Sequence, residues 1–259
     1  MQGPQWSRRH VLQQFWTVWT PSLLALPLEA QQSASGQAKA EPLKVVCVGG
    51  HPDDPESGCA GTLARYSEAG HRVTIVYLTR GERGIAGKSN QEAAAIRTAE
   101  CEAACRILGA RAAYAGQIDG SADFTRARVD EMQELLSGES PDVVFTHWPM
   151  DTHMDHQAAS LCTLRACMAL KPGPQVYLFE VNTGSQTFGF SPNAYVDIAG
   201  TVEKKKAALF SHKSQNGEGI WRDHHEAIAS WRGREAGVKA AEAFFRVNRG
   251  RAVAQLPGL

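Results

Sequence analysis

Short apolar runs alternate along the chain with longer stretches in which apolar residues recur every three or four positions. The runs are typical of buried parallel strands and cover residues 43–48, 72–78, 111–114, 142–146 and 175–180. The longer stretches predict helices over residues 57–69, 91–108, 125–136 and 156–170. Because strands and helices alternate, we predict an α/β fold: a Rossmann-like wound, mostly parallel sheet flanked by helices and joined by right-handed crossovers.

The last third of the chain has a different pattern. Residues 181–192 are rich in Gly, Ser, Thr and Asn, and a short strand is predicted at 194–198. A helix near 201–210 and a long final helix over 224–247 follow. We expect the lysines at 204–206 to form a solvated face of the first of these helices. Since no obvious linker interrupts the chain after residue 40, residues 41–259 are predicted to form a single domain.

The N-terminal stretch 1–40 differs from the rest. Arg8 and Arg9 precede a weakly apolar run, and small residues suit cleavage after Ala30 or after Ala40. This pattern resembles a twin-arginine export signal followed by a linker, which predicts a periplasmic or secreted protein without a stable membrane span once the signal is removed. Two alternatives stay open: a disordered N-terminus with a chance arginine pair, and an uncleaved membrane tether.

Composition narrows the choice of function. The chain of 259 residues carries 27 basic and 27 acidic side chains, so it lacks the basic surface that nucleic acid requires. Its six cysteines form no CxxC pair and no zinc-finger spacing. Buried free thiols are favoured because cysteine packs as a small hydrophobe, although the even number leaves disulfides open. The sequence also leaves homo-oligomerisation open.

Candidate chemistry lies where two predicted strands end. His51, Asp53 and Asp54 directly follow the first strand, and His153 and His156 follow the fourth at the start of a helix. The carboxyl ends of parallel strands meet at the same edge of a sheet, which is where α/β proteins bind ligands. We therefore expect the two clusters to come together although they are distant in sequence.

These residue types point to a catalytic metal. Catalytic zinc (Zn2+) takes three nitrogen or oxygen ligands from the protein and keeps one position for water, and His51, Asp54 and His156 supply such a set. Asp53 is then an unligated carboxylate next to the metal, placed to act as general base on the activated water. Two histidines and a carboxylate also suit iron or cobalt, so another divalent metal remains an alternative.

The remaining polar residues of the second cluster suggest supporting roles. His153 is the candidate for stabilising a developing oxyanion or for protonating the leaving amine. Either Asp155 or Asp151 is expected to orient a metal-bound histidine from behind. The sequence does not distinguish between these two carboxylates.

The motif His51-Pro52-Asp53-Asp54-x-Glu56, joined to His153-x-Asp155-His156, resembles the PIG-L / LmbE-like family of zinc-dependent N-deacetylases. The resemblance covers roughly residues 43–215. It implies the same ligands, base and acid histidine as above. Of the two carboxylates left open, we take Asp155 as the one behind the metal ligands.

The same resemblance suggests that Arg97 binds substrate, with an exposed pair between Arg97 and Glu100 as the alternative. One departure lies within the second motif. Met154 stands where many relatives have proline, which we expect to affect the stiffness of the loop more than metal ligation.

Together these features predict an exported zinc-dependent deacetylase of the N-acetylglucosaminyl type. It would remove the acetyl group from an N-acetylated amino sugar or glycoconjugate by means of zinc-activated water, with Asp53 as general base. An amidase acting on another amide conjugate is the nearest alternative. A non-catalytic, metal-assisted glycan-binding protein is the second, but binding alone does not require an unligated base beside the ligands.

Overall fold

A seven-stranded sheet runs through residues 41–248, the part of the chain that the computed structural model describes. The predicted export signal at 1–40 lies outside the described residues. The strands are β1 (Lys44–Gly49), β2 (Arg72–Tyr77), β3 (Arg111–Tyr114), β4 (Val143–His147), β5 (Gln175–Phe179), β6 (Ala194–Asp197) and β7 (Ala241–Arg246). Their order in the sheet is β3-β2-β1-β4-β5-β7-β6. Strands β1 to β5 pair in parallel, so the predicted mostly parallel sheet is confirmed.

Helices cover both faces of this sheet. They are α1 (Asp54–Glu68), α2 (Asn90–Leu108), α3 (Arg126–Glu139), α4 (Met154–Ala169), α5 (Val202–Phe210), the short α6 (Gly217–Ile220) and α7 (Glu226–Ala236). A 3-10 turn (Lys213–Gln215) precedes α6, and a π-helical turn (Trp221–His225) follows it. One apolar core packs α1, α2 and α5 on one face, and a second packs α3 and α4 on the other. No helix within residues 41–248 is long and apolar enough to cross a membrane.

The predicted final helix over 224–247 is wrong in its second half. Helix α7 ends at Ala236 because Gly237 adopts a left-handed conformation with φ of 72°. The chain then turns into β7, which pairs antiparallel with β5 on one side and β6 on the other. Both faces of β7 are buried along Ala241–Phe244, so the strand lacks the alternation that would have identified it. Its alanines and glutamate favour helix, and tertiary pairing overrides that preference.

A buried ion pair joins β7 to two helices. Lys205, only 2% exposed, donates from Nζ to Glu242 Oε1 and to the carbonyl of Ser57, both at 2.6 Å. Glu242 in turn accepts from the backbone amides of Gly61 and Thr62 in α1 at 3.0 and 2.7 Å. The Ser57 carbonyl and Gly61 amide are groups that bond to each other in a regular helix. The expectation of a solvated lysine face is therefore wrong for Lys205, which stabilises α1 through the Ser57 carbonyl and through Glu242.

All six cysteines are buried and free, as predicted. Burial raises the pKa of the Cys47 and Cys59 thiols, which keeps them protonated within the core.

Replacing Lys205 should destabilise the protein. In Lys205→Met the Glu242 carboxylate stays buried without its partner, so the free energy of unfolding should fall by about 3–5 kcal/mol. The matched control is Lys204→Met, since Lys204 pairs with Glu68 at the surface and the loss of that pair should cost less than about 1 kcal/mol. Denaturant unfolding of both variants measures the difference. Equal stabilities for the two would contradict the structural role of Lys205.

Candidate active site

The two predicted clusters meet where β1 and β4 lie side by side. The loop after β1 carries His51, and its Gly50 amide donates to Nε2 of His147 at the end of β4, at 3.0 Å. His147 is 1% exposed, and burial lowers its pKa to about 4, so the neutral ring remains an acceptor. This bond fixes the loop after β1 against the strand that leads to α4. As a result, side chains about a hundred residues apart share one site.

Three atoms that could bind a metal ion form a nearly equilateral triangle at this point. The separations are 3.2 Å between His51 Nδ1 and Asp54 Oδ2, 3.2 Å between His51 Nδ1 and His156 Nε2, and 3.2 Å between His156 Nε2 and Asp54 Oδ2. Ligand atoms on a tetrahedral zinc ion with bonds of about 2.0–2.1 Å lie about 3.4 Å from one another. The three side chains that the sequence predicts as ligands therefore fit a metal ion of this size.

Separate carboxylates orient the two histidines of this triangle. Asp155 Oδ2 lies 3.0 Å from Nε2 of His51, and Asp151 Oδ1 lies 3.1 Å from Nδ1 of His156. Each carboxylate can hold a proton on the outer ring nitrogen, so that the inner nitrogen would present its lone pair to a metal ion bound in the triangle. The sequence left Asp155 and Asp151 as alternatives. In the structure both have this position, because Asp155 contacts His51 and Asp151 contacts His156.

A further carboxylate, Asp119, contacts His51. Its Oδ1 lies 3.3 Å from His51 Nε2, and its Oδ2 accepts from the backbone amide of Arg83 at 2.9 Å. Burial opposes ionisation of Asp119, but the hydrogen bonds from His51 and Arg83 prevail and lower its pKa to about 2. The sequence marked Asp119 only as part of a stretch that resembles the family and gave it no role, although its position after β3 places it at the same edge of the sheet.

Asp53 lies beside the triangle and outside it. It is the residue before α1 and has φ of 108°, a left-handed conformation that costs a residue with a side chain about 1–3 kcal/mol. Asp53 Oδ1 is 3.3 Å from Nη2 of Arg97. Burial raises the pKa of Asp53 to about 6, although Arg97 acts in the opposite direction. This strained carboxylate is thus available for proton transfer near neutral pH.

Arg97 reaches into the site and does not pair with Glu100. Its side chain is 3% exposed, and its Nη2 also donates to the carbonyl of Pro52. A Cβ atom at Gly81 or at Gly84 would clash with Nη1 of Arg97, so a side chain at either position would displace the guanidinium from where it lies now. Glu100 bonds to Ser214 instead, which makes the predicted exposed alternative for Arg97 wrong.

His153 is held as a neutral hydrogen-bond donor. It precedes α4, and its Nδ1 accepts from the backbone amide of Asp155 at 3.2 Å, so the ring proton resides on Nε2. Burial and the neighbouring rings of His51 and His156 lower the pKa of His153. Its ring centre lies 4.5 Å from that of His51 and 4.8 Å from that of His156. His153 therefore lies next to the triangle as a hydrogen-bond donor.

A cavity of about 350 Å³ opens over these residues. Most of its wall residues are polar, and Ile220 is an apolar residue among them. Besides the residues described above, they include Ser57, Arg83, Asn182, Gln186 and Gln215. The last third of the chain was expected to wall the mouth of the site, and Asn182, Gln186 and Gln215 come from it. The sequence did not single out Asn182 or Gln186, and it marked Gln215 only as part of a stretch that resembles the family. The cavity suits a small polar molecule with several hydrogen-bonding groups.

Metal binding should depend on the triangle and on the carboxylates behind it. His156→Ala should abolish tight zinc binding, and Asp151→Asn should weaken it about 10–100-fold because His156 loses its orienting acceptor. Asp123→Asn is the control, since Asp123 lies on a nearby loop and pairs with Arg128 at the surface. Zinc titration with a competing chelator measures the affinities. Unchanged zinc affinity in His156→Ala would contradict the assignment of the ligands.

The chain matches known proteins over most of its length. The PIG-L family, described as GlcNAc-PI de-N-acetylase, matches residues 46–167. The diacetylchitobiose deacetylase of Thermococcus kodakarensis is 29% identical over 217 residues, which are 77% of this chain and 81% of the relative. The 4-oxalmesaconate hydratase of Pseudomonas putida is 26% identical over 208 residues, or 73% of this chain and 79% of the relative.

A solved structure gives the same picture. The N,N'-diacetylchitobiose deacetylase of Pyrococcus horikoshii, complexed with the inhibitor MPG, is 27% identical, with a TM-score of 0.71. The similarity covers 80% of this chain and 84% of that protein. The resemblance and the fold that the motifs indicated are thereby confirmed.

Proposed function

The chain belongs to the PIG-L family, and on that premise we propose that it is a metal-dependent hydrolase that removes the acetyl group from an N-acetylated amino sugar. One observation carries the proposal: the unligated carboxylate of Asp53 lies beside the donor triangle of His51, Asp54 and His156. A binding protein would need the triangle and the polar cavity, but it would not need the strained conformation of Asp53.

The metal and the protein would divide the chemistry between them. When bound by the triangle, zinc or a similar divalent ion supplies a Lewis acid that activates water and polarises the acetamide carbonyl. Asp53 takes a proton from the attacking water, and Arg97 holds the Asp53 carboxylate in position during this step. The pKa of about 6 makes Asp53 a suitable base at neutral pH.

His153 would stabilise the developing negative charge. Its Nε2 proton donates to the former carbonyl oxygen as the tetrahedral intermediate forms. The proton that Asp53 has taken up is then available to the amine nitrogen as the C–N bond breaks. The products are acetate and the free amino sugar.

Acetate release tests the proposal directly. Zinc-loaded protein should release acetate from N-acetylglucosamine-containing substrates, with N,N'-diacetylchitobiose first because relatives act on it. The panel also includes other amides and 4-oxalmesaconate, because one relative is a hydratase and two arginines, Arg83 and Arg97, line the cavity. Glycan binding without acetate release would indicate a binding protein, and turnover of 4-oxalmesaconate alone would indicate a hydratase.

A pair of adjacent variants separates the base from the ligand. Asp53→Asn should retain zinc and lower kcat about 10²–10⁴-fold, because the amide cannot accept the proton from water. Asp54→Asn should lose zinc as well as activity. Metal content and acetate release are measured on the same samples. Equal loss of zinc in the two variants would refute this division of roles.

We also propose that the protein is exported by the twin-arginine route. That route carries folded proteins, so it would allow the metal to be acquired before export. Replacing both Arg8 and Arg9 with lysine should leave the protein in the cytoplasm, whereas the unaltered chain should reach the periplasm or medium. Cell fractionation measures this. Export of the double variant at the unaltered level would contradict the proposed signal.

A further inference from the structure

A hydrogen-bond chain on one wall of the cavity begins at Glu100. This carboxylate accepts from the backbone amide of Ser214 at 2.8 Å and from the Ser214 hydroxyl at 2.6 Å. An ionised carboxylate can only accept hydrogen bonds, so the single hydroxyl proton of Ser214 points to Glu100. The Ser214 oxygen can then act only as an acceptor toward its other neighbours.

The next residue in this chain is Gln215. Its Nε2 donates to the carbonyl oxygen of Gly84 at 3.0 Å and to Ser214 Oγ at 3.1 Å. Both partners are acceptors, so the nitrogen of the Gln215 amide must face them and its two protons are used. The orientation of this amide follows from the chemistry of its neighbours.

The oxygen of the same amide has no hydrogen-bond partner in the described part of the chain. Among residues 41–248, no group donates a hydrogen bond to Oε1 of Gln215, and Gln215 lines the cavity. The Gly84 carbonyl that holds the amide belongs to the loop that also cradles Arg97. Gln215 is thereby fixed relative to the Arg97–Asp53 pair and offers the cavity an acceptor and no donor.

From this geometry we infer that Gln215 is a specificity-determining residue whose Oε1 accepts a hydrogen bond from a hydroxyl group of the substrate. The inference rests on the proposed deacetylase function and deepens it by naming a substrate group. Glu100 and Ser214 are positioning residues that act through Gln215. A site built to bond to a hydroxyl discriminates against an analogue that cannot donate, because the acceptor is left without a partner. The substrate must therefore present a hydrogen-bond donor at this position.

The test combines variants of the protein with variants of the sugar. Acetate release is measured for the unaltered protein and Gln215→Met on N,N'-diacetylchitobiose and on its single deoxy and single O-methyl analogues. The Gln215→Met substitution should lower kcat/KM for the parent sugar about tenfold. For the unaltered protein, replacing one particular hydroxyl group of the sugar by hydrogen or by O-methyl should lower kcat/KM by a similar factor. Gln215→Met should show no further loss on that deoxy analogue.

The positioning residues have their own readout. Ser214→Ala should reduce discrimination against the deoxy analogue, whereas Ser214→Thr should restore it because the hydroxyl is kept. Lys213→Met is the control, since Lys213 is the exposed neighbour of Ser214. Zinc content should be the same in all variants, which separates a local effect from loss of the fold.

Two results would overturn the inference, and they can be told apart. If every analogue loses the same factor in the unaltered protein and in Gln215→Met, Gln215 makes no such contact and the deacetylase proposal still stands. If the unaltered, zinc-loaded protein releases no acetate from any sugar, the proposed function fails and the inference fails with it.

Discussion

The parallel pairing of β1 with β4 is the constraint on which the site depends. Val48 lies opposite Thr146 in this pair, so the two strands end at the same level. Strand β2 lies on one side of β1 and β4 lies on the other. The strand order therefore reverses at β1, which creates a switch point between the ends of β1 and β4. The bond from Gly50 to His147 then sets the distance between the loops. Without this pairing, His51 and His156 would belong to two unrelated turns.

The four residues from His51 to Asp54 include three side chains of the site. His51 and Asp54 turn their donor atoms toward His156, while Asp53 is directed away by its left-handed backbone. Several contacts offset the cost of that conformation. Arg97 binds both the Asp53 carboxylate and the Pro52 carbonyl, and Lys205 with Glu242 supports the helix that begins at Asp54. The strained conformation of Asp53 is thus supported by contacts from three other parts of the fold.

The sequence was sufficient for the parallel sheet and for the meeting of its two histidine clusters, because strand ends in a parallel sheet share an edge. It was insufficient where burial or long-range pairing overrides local preference. Strand β7 contains good helix formers, and Lys205 looks like any surface lysine until Glu242 is placed beside it. The stretch that ends at Gln215 resembles the family, but the role of Gln215 does not follow from it, since that role depends on Gly84 and Glu100, which are far away in the chain. The direction of the Arg97 side chain depends on Gly81 and Gly84, which belong to another loop.

We propose that His51, Asp54 and His156 hold the metal while Asp53 does not bind it. Anomalous diffraction from a crystal of the zinc-loaded protein tests it most directly. The account predicts one zinc peak at about 2.0–2.2 Å from His51 Nδ1, Asp54 Oδ2 and His156 Nε2, with no bond to Asp53. A zinc ion bound by Asp53, or centred on His147 or His153 in place of one of the three, would contradict it.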